Sequence, residues 1–154
     1  MNEPRWLDVR EAAVWKKYRD LQRQLQSALD RQLAHDSVLS GADYAVLVPL
    51  SESPGDVLRA RELQVELGWE RSRLSHQISR METRGMVARE PCENDARGSM
   101  VRMTAQGRAA IEAAAPQHVE TVRRYFFDPL SHDEVETLGV LLDRLLGSLS
   151  READ

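Results

Sequence analysis

The sequence predicts a mainly α-helical chain with a small β wing: a winged helix-turn-helix carried between N- and C-terminal helices that form a dimerisation domain. Three observations predict it. Arg61 to Gly85 reads as two short amphipathic helices joined at Gly68, the second with a polar outer face. Beyond it, Met86 to Arg89 and Ser99 to Met103 are strand-like runs around a polar tip, Glu93 to Gly98, which makes a basic hairpin beside the second helix. Long helical periods at both ends carry apolar stripes that the centre is too small to cover.

At 154 residues the chain is an ordinary size for one domain with a real core. Its segments divide into a helical dimerisation region, residues 1–40 and 104–150, and a winged helix-turn-helix region, residues 41–103, within one intertwined domain. No apolar run approaches the ~20 residues of a membrane span, and the first thirty residues lack the apolar centre of a signal peptide, so the expected location is cytoplasmic, away from membranes. Cys92 is the only cysteine, which excludes an intrachain disulfide and any multi-cysteine metal site.

Residues 6–33 open the chain as a helix, with Val14, Tyr18, Leu21, Leu25 and Leu29 spaced by threes and fours. Ser40 to Asp43 caps a second helix bearing Tyr44, Val46, Leu47 and Leu50, and Ser51 to Gly55 ends it. Val57 and Leu58 can add a third strand to the wing. Thr104 is an N-cap for a helix running to about Phe127, with Pro116 as a candidate kink. Ser131 and Glu134 form a capping box for the last helix, on which Leu138, Leu141, Leu142, Leu145 and Leu149 share one face. The economical way to bury both terminal stripes is a homodimer whose first and last helices interlock.

Charge is placed unevenly. The whole chain carries −4, but Arg71 to Thr104 holds seven arginines against four acids, about +3, whereas Ala105 to the end holds five against nine, about −4. Positive charge therefore collects on the helix-turn-helix, as a local double-stranded DNA footprint requires. On a wheel of about 100° per residue, Leu74, Ile78 and Met81 fall within about 60° and form the buried stripe of the second helix. Ser72, His76, Ser79, Arg80 and Thr83 then fall on the opposite side with Arg73 at one flank, and the leading Ser72, Arg73 and His76 are the candidates for base edges, Arg73 being able to grip a guanine bidentately. Gln77 lies nearer the core flank but is long enough to reach an adenine. Arg80 suits a phosphate, or a pairing with Asp95 that holds the wing. At the tip, Arg97 can enter the minor groove, while Asp95 sets the pose of the wing.

The order Glu62-Leu63, Leu67-Gly68, Ser72, Ser75, Arg80-Met81-Glu82 and Arg84 to Arg89, followed by Asp95-Ala96-Arg97 and Val101 to Gly107, resembles the MarR family of bacterial transcriptional regulators. The resemblance runs from about Ser40 to the last leucine stripe, and the Asp-x-Arg wing followed by Met103-Thr104-Ala105-Gln106-Gly107 is its most specific part. It implies a triangular homodimer with terminal helices as the dimerisation domain and two winged lobes straddling a pseudo-palindrome. It also implies repression and an effector or redox cue read where the two regions join. Arg59 and Glu70 depart from it, standing where the family often has Ser or Thr caps.

The expected effector is a small aromatic or phenolic compound in a cleft lined by Trp15, Tyr18, Tyr44 and His118, although the same residues also suit an ordinary core and interface. Two alternatives stay open: a thiol-based redox sensor using Cys92, which Glu90 and Glu93 disfavour as a thiolate, and a helical adaptor that binds protein through its terminal leucines. The four histidines have no short ligand spacing, and no cofactor motif is present. An enzyme is not expected, because the sequence has no nucleophile elbow, phosphate loop or His-Glu-x-x-His helix.

Overall fold

The computed structural model describes residues 3–150, with the side chains of residues 95–97 outside the described set. Helix α1 (Val9–Asp36) starts where Asp8 and Glu11 close a capping box, Asp8 accepting from the Glu11 amide at 2.8 Å and Glu11 from the Asp8 amide at 2.9 Å. The same device opens α2 (Gly41–Glu52), with Ser40 and Asp43 as the pair. A short turn at Pro54–Asp56 leads into strand β1 (Val57–Arg59), then α3 (Ala60–Leu67) and α4 (Arg71–Thr83). The turn between α3 and α4 depends on Gly68 at φ 63°, a left-handed conformation that costs a side-chain-bearing residue energy and glycine none.

Strands β2 (Val87–Cys92) and β3 (Asp95–Met103) are longer than the sequence predicts, and the wing tip shrinks to residues 93–94. Polar residues had marked the tip, but a register shift between Pro91 and Cys92 lets Asp95 face Cys92 and continues the ladder outward. The antiparallel sheet runs in the order β1-β3-β2, with Val57 opposite Arg102 and Val87 opposite Met103.

The predicted helix from Thr104 to Phe127 is α5 (Ala105–Val122) followed by a wider π-type segment at Arg123–Phe127, and Pro116 is accommodated within α5. Its start is pressed onto the wing. Thr104 donates its hydroxyl to the Gly85 carbonyl at 2.6 Å and accepts from the Gly107 amide at 3.1 Å, while its own amide donates to the Met86 carbonyl at 3.0 Å. A Cβ at position 107 would lie 2.1 Å from that carbonyl oxygen, which is why a glycine follows the threonine by three residues. Helix α6 (His132–Ser150) opens on the Ser131–Glu134 capping box.

The chain divides into two compact units, Met1–His118 and Val119–Asp154. The core of the first gathers Leu33 and Leu39, Val46, Leu47 and Leu50 of α2, Leu63 of α3, Leu74, Ile78 and Met81 of α4, and Val101 and Met103 of β3. The second carries α6, whose described residues include none that is buried. Among the described residues no helix is long and apolar enough to cross a membrane.

Candidate nucleic-acid interface

Burial of Leu74, Ile78 and Met81 fixes the roll of α4, so Ser72, Arg73, His76 and Arg80 are turned outward together. Ser72, Ser75 and His76 line a shallow concavity with Glu70 and Arg71 at the helix start. No side chain caps that start; Glu70 places a negative charge beside the positive end of the helix dipole instead. The Arg73 guanidinium lies over the Trp69 ring, 4.1 Å from its centroid. That distance is within cation–π range, and the contact holds the Arg73 side chain against Trp69 on the exposed side of α4.

Gln77, expected near the core flank with the length to reach an adenine, turns inward instead: it is 3% exposed and its amide is engaged on both sides, Nε2 donating to Asp43 Oδ1 at 2.7 Å and Oε1 accepting from Arg80 at 2.6 Å. An extended glutamine has the reach for a base, but its Cα faces the flank of the core, where a buried carboxylate captures it. Asp43 is itself 1% exposed and takes a second partner, the Arg84 guanidinium, at 2.6 Å. Burial pushes the Asp43 carboxyl up, but the Ser40 amide and the Arg84 guanidinium outweigh it and hold its pKa below the ordinary aspartate value. Arg84 also donates to the Val38 carbonyl at 2.6 Å, tying the end of α4 to the turn before α2.

The wing is clasped to α4 by Arg89. Its guanidinium pairs with Glu82 and donates to the Ser75 carbonyl at 2.9 Å. Arg102 grips Glu90 with two bonds, of 2.5 and 3.1 Å, and reaches the Gly55 carbonyl at 2.9 Å, fixing the other face of the sheet. The sequence offers Arg80 for a phosphate or for a clasp with Asp95; in the structure Arg80 is held by Gln77, and the side chains of Asp95 and Arg97 lie outside the described residues. Asp43, Trp69, Arg84 and Arg89 are not among the site candidates the sequence offers. Glu82 and Arg89 have opposite charges seven residues apart, but only the turn at Gly85 brings them together.

The four aromatic and histidine candidates separate into two pairs. Trp15 and Tyr18 stack at 5.4 Å on exposed positions of α1, whereas Tyr44 and His118 stack at 4.1 Å beside Gln32, which contacts His118 at 3.2 Å. Tyr18 and Gln32 are fourteen residues apart on one helix, about 21 Å along its axis, so the pairs do not line a single cleft within one chain. Burial lowers the pKa of His118 and raises that of Tyr44, keeping both rings neutral. Cys92 is a buried thiol at the end of β2. No group of three or more His, Cys, Asp or Glu is arranged to hold a metal among the described residues.

The family model described as "MarR family" matches residues 39–98, the lobe just built. Transcriptional regulator HosA of Escherichia coli is 30% identical over 111 residues, which cover 71% of this chain and 79% of HosA. HTH-type transcriptional regulator PecS of Dickeya dadantii is also 30% identical, over 105 residues, and there the chain spans only 55% of the relative's length against 68% of its own. Among solved structures, Sco3205, a MarR family transcriptional regulator from Streptomyces coelicolor crystallised in complex with DNA, superposes with a TM-score of 0.89 at 38% identity, covering 97% of this chain and 93% of that one. With a three-stranded wing, an outward polar face on the second helix of the helix-turn-helix and these relatives in agreement, the chain belongs to the MarR family of DNA-binding transcriptional regulators.

Proposed function

We propose that the protein is a repressor that binds a pseudo-palindromic operator as a homodimer and responds to a small aromatic effector. The observation that carries the DNA-binding mode is the roll of α4: its apolar stripe is locked in the core, and Ser72, Arg73, His76 and Arg80 project together beside a wing built on Arg89 and Arg102. Ser72, Arg73 and His76 enter the major groove and read base edges. Arg80 takes a phosphate, and Arg97, on the strand leaving the wing tip, takes the adjacent minor groove. The DNA complex of Sco3205, a relative at 38% identity, supports DNA as the partner.

Two chains are needed because each leaves its apolar stripes uncovered. Val14, Trp15, Tyr18 and Leu21 are exposed on α1, as are Leu141, Leu142, Leu145 and Leu149 on α6, and a second copy buries both sets. The effector site is centred on Tyr44 and His118, a half-buried aromatic pair on α2 and α5 with Gln32 as a polar partner. Gel-shift titration with the DNA upstream of the protein's own gene tests the reading: a saturable shift resisted by unrelated competitor DNA is expected. Addition of salicylate should then change operator affinity by the factor by which operator changes salicylate affinity. No shift at any protein concentration in low salt would refute the DNA-binding mode, and calorimetry without heat at millimolar salicylate would refute that ligand class.

A further inference from the structure

We propose that Gln77 is a positioning residue for DNA recognition: the buried Asp43 carboxylate locks its amide, and the amide in turn holds the Arg80 guanidinium in its DNA-contacting pose. This rests on the proposal that α4 enters the major groove. Gln77 and Asp43 are both buried, 3% and 1% exposed, whereas Arg80 on the same helix is exposed. The carboxylate accepts only donors, so the Gln77 NH2 group must face Asp43, at 2.7 Å, and its carbonyl oxygen must face outward. There it accepts from Arg80 at 2.6 Å, one turn along α4. The negative charge of Asp43 polarises the amide and strengthens the outer bond. An arginine on an open helix face is free to choose among many rotamers, and ordering it on binding costs affinity; this one is ordered before DNA arrives. The anchor belongs to α2, since Asp43 also closes the Ser40 capping box at 2.9 Å and binds Arg84 at 2.6 Å. Arg80 is thus set by the position of the first turn of α2 and not by α4 alone.

The test measures affinity for a duplex that the wild-type protein selects from a random-sequence library. Gln77→Met fills the same space without polar atoms and Gln77→Asn keeps the amide but is one methylene too short to span both partners, so one of the two remains measurable if the other fails to fold. Each should weaken binding about two- to tenfold per recognition helix, the cost of ordering one long side chain. In an Arg80→Ala background the same substitutions should cost nothing further, although any loss of thermal stability would persist in both backgrounds. That dependence on Arg80 is what a merely structural role does not produce. Variants that bound like the wild type, or that lost the same factor with and without Arg80, would overturn the proposal while leaving DNA binding standing. A wild-type protein that selected no duplex would instead refute the DNA-binding mode on which the proposal rests.

Discussion

Replacing Leu141 and Leu145 of α6 by glutamate is expected to take the proposed dimer apart. Within one chain, Leu141, Leu142, Leu145, Leu146 and Leu149 are 41–67% exposed. Covering roughly half of a leucine, at about 1.5–3 kcal/mol for a whole side chain, is worth about 1 kcal/mol, so these leucines on two chains supply about 10 kcal/mol. That is the scale of the ~4–15 kcal/mol that association costs, and the two substituted positions carry about 4 kcal/mol of it across the pair. The glutamates add desolvation of four carboxylates, of which the exposed Arg144, three residues beyond position 141 on α6, can neutralise at most one per chain. The net balance turns unfavourable by several kcal/mol. Multi-angle light scattering at micromolar concentration reads the mass directly, and circular dichroism separates a dissociated chain from an unfolded one. A wild-type mass of one chain, or a double variant that still eluted as a dimer, would refute the reasoning.

Other substitutions probe the winged lobe. Arg73→Ala should cost about 1–3 kcal/mol per half-site and relax base preference at one operator position, which affinities for single-base operator variants would show; a uniform loss across all variants would mean that Arg73 meets only the backbone. Gly107→Ala should destabilise the fold by about 2–4 kcal/mol, because its Cβ would sit 2.1 Å from the Met86 carbonyl oxygen and force α5 off the wing, and denaturant melts would reveal it. Burial lowers the pKa of His118, so the unfolded chain takes up that proton first: the contribution is complete above the ordinary histidine value of 6.5 and is lost as pH falls through the lower folded value. His118→Gln should flatten that part of the stability-versus-pH curve, and an unchanged slope would place the titration elsewhere.

What the residues declare locally, the sequence by itself determined. Capping boxes at Ser40 and Ser131 act over three residues, the αL turn at Gly68 is a property of one residue, and the stripe of Leu74, Ile78 and Met81 follows from helical period, so the starts of α2 and α6, the helix-turn-helix and the roll of α4 were legible, whereas α1 starts at Val9, three residues past the predicted residue 6. The wing was legible as two strands but not in its length, because polar residues near the tip look like loop until a partner strand is in register. Tertiary structure alone decided what the long polar side chains do. Gln77 has the length to reach DNA or the core, and a carboxylate 34 positions earlier, brought beside it by the packing of α2 on α4, took it inward. Likewise, Trp15 and Tyr18 are aromatic like Tyr44 and His118 but lie elsewhere, since α1 puts Tyr18 about 21 Å along its axis from Gln32, which contacts His118. Side-chain type and period constrain a residue's own element, whereas the partners of a flexible polar chain depend on which distant groups the core brings within about 3 Å.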